Sequence, residues 1–253
     1  MLQSDFPGHA DGTAFYALGV YDESEGSFEH ATGLQEPRAL DFSETYVYNQ
    51  LGYRSDGRMV NVGWIRDLGT SVVREVRYDP TVGGGQLLAW PVEELINLRQ
   101  EVLGSSKDKL LPAGHTESLV TSGATTADME FLFATSADAP LEVTVTALGL
   151  TVDLSVHGPN ATIAVNRAAA ASAPGRNGVD CGGNFFVPTS LTQISLRLLI
   201  DGVSIEAFAV DGRGVCSFAH PTPPPKSSSA VFITSGKTDT TLLNGTVWRM
   251  GPI

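Results

Sequence analysis

The sequence predicts an all-β protein, and three observations carry the prediction. Short apolar stretches are punctuated along nearly the whole chain by Gly, Asp, Asn and Pro, the spacing of strands and turns. Apolar and polar residues alternate strictly in Leu141-Glu142-Val143-Thr144-Val145-Thr146, which gives a strand one dry face and one wet face. Helical signal is confined to one segment, Pro91-Val92-Glu93-Glu94-Leu95-Ile96-Asn97-Leu98-Arg99. Proline stands at its first position, acids fill the first turn, and an arginine closes the last.

Ahead of that helix, strands are expected at residues 14–21, 45–51, 59–65, 71–78 and 86–89. Ser55-Asp56-Gly57-Arg58 reads as a tight hairpin turn, because Asp-Gly accepts the positive φ such turns require. After the helix, Gly104-Ser105-Ser106-Lys107-Asp108-Lys109 reads as a polar connector. Further strands are expected at 129–134, 141–147, 151–156, 194–200, 204–210, 214–218, 230–234 and 246–250, with turns at Asp201-Gly202 and Asp211-Gly212. Residues 168–175 and 221–229 are of low complexity and read as surface loops. The chain thus divides into residues 1–100 and 101–253. The second part is long enough for a self-contained sandwich, which needs about 100 residues. The first offers strands without a closing partner, and open strand edges are normally covered or closed.

Composition removes several function classes. A formal net charge of −12 over 253 residues would repel a phosphate backbone, so nucleic acid is a poor partner. No apolar run approaches the ~20 residues that cross a bilayer. Met1-Leu2-Gln3-Ser4-Asp5-Phe6-Pro7 has neither the basic nor the apolar stretch of a signal peptide. Five scattered histidines and two cysteines provide no metal-ligand spacing, so no metal or other cofactor is expected. Gly83-Gly84-Gly85 lacks the Lys-Ser/Thr of a phosphate loop. Composition leaves Cys181 and Cys216 open between two thiols and one disulfide. The sequons Asn160-Ala161-Thr162 and Asn244-Gly245-Thr246 tilt the reading toward a secreted, glycosylated protein.

An acidic all-β protein suggests carbohydrate chemistry, for which paired carboxylates are the first requirement. Asp41, Glu44, Asp67, Glu75, Asp153, Asp201 and Glu206 are the candidates. Most fall at turns or at wet strand positions, the pattern of a solvated surface, so no catalytic residue is assigned. Trp64 closes the strand Asn61-Val62-Gly63-Trp64-Ile65, with Tyr46 and Tyr48 on the strand before it. A strand-end tryptophan beside glycine offers a flat face for a sugar ring; packing in the core is the other reading.

Several stretches in order resemble the C-terminal part of glycoside hydrolase family 32, the invertase, inulinase and fructosyltransferase family. They are Tyr16-Ala17-Leu18-Gly19-Val20-Tyr21-Asp22, Leu40-Asp41 and the Tyr46 strand, then Gly57-Arg58-Met59-Val60-Asn61-Val62-Gly63-Trp64-Ile65. Ser71-Val72-Val73-Arg74-Glu75 stands where members have Ser-x-Pro-Arg-Glu, with Val73 in place of the proline. Gln86-Leu87-Leu88-Ala89-Trp90-Pro91-Val92-Glu93-Glu94-Leu95 and Leu98-Arg99 follow. The stretch Leu196–Phe208, Asp211-Gly212-Arg213 and Thr246-Val247-Trp248-Arg249-Met250 resemble the family's terminal module, most closely in its plant-type members.

The resemblance implies a five-bladed β-propeller followed by an antiparallel β-sandwich. Residues 1–100 would be the last blades of that propeller and residues 101–253 the sandwich. Members hydrolyse terminal β-D-fructofuranosides such as sucrose with retention. They use an aspartate nucleophile, a stabilising aspartate in Arg-Asp-Pro, and a glutamate acid/base in Glu-Cys, all on earlier blades. None of the three motifs occurs here: Arg66-Asp67-Leu68 follows the Gly-Trp element rather than preceding it. The resemblance therefore implies the C-terminal portion of a β-fructofuranosidase-like enzyme, inactive alone. Its partners would be fructose-containing saccharides and the missing N-terminal blades or another subunit, with Trp64 and Tyr46 as walls of the fructose pocket. It also implies a disulfide between Cys181 and Cys216, and with the two sequons, which place glycan at Asn160 and Asn244, a secreted or vacuolar location. Two other readings stand beside it. One is a non-catalytic carbohydrate-binding or assembly module; the other is a different carbohydrate-active enzyme with its acids among Asp153, Asp201 and Glu206.

Overall fold

The computed structural model describes residues 14–31, 38–42, 45–65, 69–120, 125–136, 139–167, 181–219 and 230–251. In the first part of the chain the strands are β1 (Ala14–Tyr16), β2 (Gly19–Asp22), β3 (Ser27–His30), β4 (Arg38–Asp41), β5 (Thr45–Tyr53), β6 (Met59–Ile65), β7 (Gly69–Thr70), β8 (Arg74–Asp79) and β9 (Gln86–Pro91). They pair antiparallel as β1–β4, as β2–β3, and as a larger sheet β5-β6-β8-β9 with β7 on β6. None of the described sheets closes on itself.

A 3-10 helix over Glu93–Leu98 leads to the second part. Its strands are β10 (Arg99–Leu111), β11 (Thr116–Val120), β12 (Thr126–Ala134), β13 (Leu141–Ala147), β14 (Leu150–His157), β15 (Asn160–Arg167), β16 (Cys181–Phe186), β17 (Gln193–Asp201), β18 (Ser204–Ala209), β19 (Gly214–Ala219), β20 (Val231–Ser235) and β21 (Thr240–Met250). They form two six-stranded sheets, β10-β21-β12-β17-β18-β19 and β11-β20-β13-β14-β15-β16.

These two sheets share one apolar core. Met129, Phe131, Phe133, Ile194, Leu196 and Leu198 enter it from the first sheet; Val143, Val145, Val152, Leu154, Ile163 and Val165 enter from the second. Burying each such side chain contributes roughly 1.5–3 kcal/mol. The alternation predicted for β13 is the observed one: Leu141, Val143, Val145 and Ala147 are buried, and the residues between them are not. Its turn into β14 is a two-residue hairpin, with Leu148 at φ 53° and Gly149 at φ 78°, the left-handed pair that matches the twist of the flanking strands. Cys181 on β16 and Cys216 on β19 form a disulfide across Cα atoms 5.8 Å apart, joining the edge of one sheet to the edge of the other.

Three expectations are corrected. Residues 104–109 are not a connector but the middle of β10, paired with β21 from Gly104↔Val247 to Lys109↔Leu242. As an edge strand β10 shows one side to water, so serine and lysine suit it as well as apolar residues do. Residues 14–21 are not one strand: buried Ala14–Tyr16 pairs with β4, while exposed Gly19–Asp22 pairs with β3. The helix begins after Pro91, which still belongs to β9, and it has no side-chain cap at Val92, so only short 3-10 turns form. Residues 168–175 and 221–229 lie outside the described residues.

Candidate functional site

The strand β6 alternates, with Asn61, Gly63 and Ile65 buried and Trp64 48% exposed, so Trp64 is a surface residue and not part of the core. It pairs with Val47 on β5 and with Thr70 on β7. Tyr48 is opposite Gly63, and Tyr46 falls at a bulge between the pairs Thr45↔Ile65 and Val47↔Trp64. Backbone register thus brings both tyrosines to the end of the sheet that carries Trp64. Ser71 pins that end: its N–H donates to the Gly63 carbonyl at 2.7 Å, and its Oγ accepts the Gly63 N–H at 2.8 Å.

Behind this end, four buried polar side chains meet where the first part of the chain packs on β18 and β19. Arg74 opens β8 at an inward position, since Arg74, Val76 and Asp79 are its buried residues. Its Nη1 bonds Asp41 Oδ2 at 2.8 Å and its Nη2 bonds Glu206 Oε2 at 2.7 Å. Nη2 also reaches the Ser217 hydroxyl, and the guanidinium lies 5.1 Å over the Phe208 ring. Glu206 Oε1 accepts the Val72 N–H at 2.7 Å, and Asp41 Oδ1 accepts the Ser217 N–H at 3.2 Å. Apolar side chains flank the cluster: Ala14, Tyr16, Leu40 and Ala89 from the first part against Leu199, Phe208 and Val215 from the second.

Burial pushes the Glu206 carboxyl above the ordinary glutamate range. The nearby Asp41 charge adds to this, and the Arg74 guanidinium and the Val72 N–H oppose it without reversing it. A carboxylate closed off from solvent and ringed by donors is poorly placed to protonate a substrate. What the arrangement does is bind two parts of the chain together.

The same junction has a second fastening. Arg213, in the β18–β19 turn, is ion-paired with Asp79 of β8. Burial alone would raise the Asp79 carboxyl; two hydrogen bonds from Thr81 and the Arg213 charge outweigh it and hold that carboxyl below its usual range. Beside it the Ala89 N–H donates to the Gly212 carbonyl at 3.0 Å. Gly212 has φ +87°, and a Cβ there would lie 2.4 Å from the Ala89 carbonyl oxygen, so both conformation and contact require glycine.

Two of the carboxylates that the sequence assigns to solvated surface, Asp41 and Glu206, are therefore buried and share one guanidinium. The others are not brought to them. Glu75 is paired with Arg77, Asp153 accepts from Thr144 at 2.6 Å on the other sheet of the second part, and Asp201 is exposed at the end of β17. Glu44 and Asp67 lie outside the residues whose side chains are described. Asn160 is exposed at the turn into β15, and Asn244 is exposed on β21. No cluster of three or more potential metal ligands occurs among the described residues. Sequence reasoning missed Arg74 as the hub. The available signal was a cation on the apolar-facing register of β8, answered by an acid inside the apolar strand Ser204–Ala209.

Residues 94–249 match the family model described as glycosyl hydrolases family 32, C terminal. No curated protein matches the sequence. Among solved structures, the fold is similar to fructan 1-exohydrolase IIa from Cichorium intybus, with TM-score 0.74 and 19% identity over 95% of this chain and 55% of that one. A Glu-to-Gln variant of that enzyme is similar to the same degree, in a structure with 1-kestose. Exo-inulinase from Aspergillus awamori superposes with TM-score 0.72 and 16% identity, over 97% of this chain and 52% of that one. Sucrose-6-phosphate hydrolase from Lactobacillus gasseri gives TM-score 0.65 and 17% identity, over 94% of this chain and 47% of that one. The chain spans about half the length of these structures.

Proposed function

The chain belongs to glycosyl hydrolase family 32, whose C-terminal domain it carries over residues 94–249, and from that premise we propose that it serves a fructosidase-like enzyme acting on terminal β-D-fructofuranosides. In this reading residues 1–100 are the last blades of a propeller and residues 101–253 the sandwich braced against them. Trp64, with Tyr46 beside it on β5, forms a wall against which a fructose ring packs. The observation that carries the reading is the exposed Trp64 at the end of a sheet whose strands are fastened to a family 32 domain.

Retaining glycoside cleavage needs a nucleophile and an acid about 5 Å apart on either side of the bond. Asp41 and Glu206 are held by Arg74 and closed from solvent, so they are poor candidates for either role. The chain contributes binding surface and support, and the acids come from elsewhere in the enzyme. Asn160 and Asn244 are exposed and carry glycan if the protein is secreted or vacuolar, the location this reading favours.

Two measurements test it. The chain alone releases no fructose from sucrose or inulin; turnover by highly purified chain that disappears in Glu206→Gln would overturn the non-catalytic part. Calorimetry with sucrose and with inulin and levan oligosaccharides detects weak binding that Trp64→Ala removes. Binding that Trp64→Ala leaves untouched would end the fructose-wall reading.

A further inference from the structure

The Arg74 cluster and the surface at Trp64 are joined by hydrogen bonds linked through adjacent backbone residues. One carboxylate oxygen of Glu206 accepts the Val72 N–H at 2.7 Å, and the other accepts from Arg74 at 2.7 Å. One residue upstream, Ser71 exchanges two bonds with Gly63, at 2.7 and 2.8 Å. Gly63 directly precedes Trp64. On the far side of the same segment, the Val73 carbonyl accepts the Val92 N–H at 3.1 Å. Residues 71–73 lie between β7 and β8, outside any strand, so these contacts take the place of a ladder.

We propose that Glu206 is a positioning residue: by holding Val72 and Arg74 it fixes the segment 71–74, and through Ser71 it sets where Gly63 and Trp64 stand. The second part of the chain thereby governs an aromatic surface built on the first, from a residue 134 positions distant from Val72. A carboxylate suits the task because its two oxygens take two donors at once, and a charged acceptor makes the stronger hydrogen bond. Glu206 sits on β18 between neighbours Leu199 on β17 and Ser217 on β19, so its own backbone is held from both sides. As a statement about sugar binding, the inference rests on the reading of Trp64 given above; as a statement about backbone position, it does not.

Amide hydrogen exchange on the full chain tests it. In Glu206→Ala the protection of the Val72 and Gly63 amides falls tenfold or more, while the Val145 and Leu154 amides of the sandwich core keep theirs. Glu206→Gln restores most of the protection at both sites, because it keeps an oxygen for the Val72 N–H while giving up the charge opposite Arg74. Unchanged Gly63 protection in Glu206→Ala would overturn the proposal. So would a loss shared equally by Val145, or a Gln variant as poorly protected as the Ala one. Should Glu206→Ala fail to fold, Ser71→Ala carries the test: Gly63 protection drops tenfold with Val72 retained, and no change at Gly63 refutes the link. Sucrose titration separates the two claims. If Trp64→Ala does not alter affinity, the fructose-wall reading fails and the exchange result stands. If Trp64→Ala abolishes binding and Glu206→Ala leaves it intact, the positioning claim fails.

Discussion

Replacing Arg74 by methionine removes the guanidinium that both Asp41 and Glu206 bond, at 2.8 and 2.7 Å, and leaves the two carboxylates buried beside each other. Taking one partner from a buried ion pair costs about 3–5 kcal/mol, chiefly because a charge is left in a medium that solvates it poorly. Here one deletion strands both carboxyls, but a buried carboxyl left without its cation takes up a proton rather than stay charged, so the loss should fall within that range. Glu206→Gln is the informative contrast. It leaves one guanidinium facing one carboxylate and retains an acceptor for the Val72 N–H, so about 1–3 kcal/mol is expected. The triple variant Arg74→Met, Asp41→Asn, Glu206→Gln strips the charge from all three side chains together. Buried ionic groups can be replaced at little cost when the substitutes are apolar. Asn and Gln keep an acceptor each for the Ser217 and Val72 N–H but bury unpaired amide donors, so the variant should regain part of what Arg74→Met loses. Urea unfolding of the four proteins at neutral pH, with equal slopes as the check on a common transition, gives the comparison. The reasoning is refuted if Arg74→Met costs no more than Glu206→Gln, or if the triple variant is no better than Arg74→Met.

The raised Glu206 carboxyl makes stability depend on pH in a stated direction. Unfolded, that group titrates near 4.5, and folded it titrates higher, so between the two values the native state holds a proton that the unfolded state has lost. Its contribution therefore falls as pH rises through that window; urea midpoints at pH 5 and pH 7.5 should show a decline that Glu206→Gln flattens. Gly212→Ala should cost about 1–3 kcal/mol for the left-handed conformation, with more from its contact on β9. Gly202→Ala, at φ +58° with nothing within 4 Å, is the control for conformation alone, and equal thermal midpoints would refute the contact. Replacing Cys181 and Cys216 by serine removes a cross-link over 35 residues. The chain-entropy model gives about 4 kcal/mol for a loop of that size, and an unfolding free energy unchanged within error would contradict it.

The sandwich core was legible because its signal is local and periodic. In β13 each apolar residue is flanked by a polar one, so the strand and its inward face both follow from the sequence. The same period-two rule failed at β10, whose Gly-Ser-Ser-Lys-Asp-Lys stretch has no apolar face to announce it. That strand is held by a ladder to β21, a partner more than 130 residues away in sequence, and no local pattern encodes such a pairing. It failed differently at residues 14–21, where two short strands with opposite burial abut and their apolar residues run together into one apparent strand.

The site was harder to read, for a reason that lies in electrostatics rather than pattern. Glu206 interrupts an apolar strand, and a carboxylate there is ordinarily read as the wet face, because an unpaired charge is almost never buried. What reverses the reading is Arg74, 132 residues earlier, itself placed on the dry face of another strand. Each residue alone contradicts its surroundings; only as a pair are they consistent with them. A cation and an acid that each violate the pattern of a separate strand are therefore a better sign of a junction than of a surface. By that test Arg99 and Arg197 point the same way. Both bond Asp128, which is buried within β12, and Arg99 also stacks 3.7 Å from the Trp248 ring. Charge inside this fold marks where strands distant in sequence are locked together, and at Arg74 that lock joins β4 and β8 to β18.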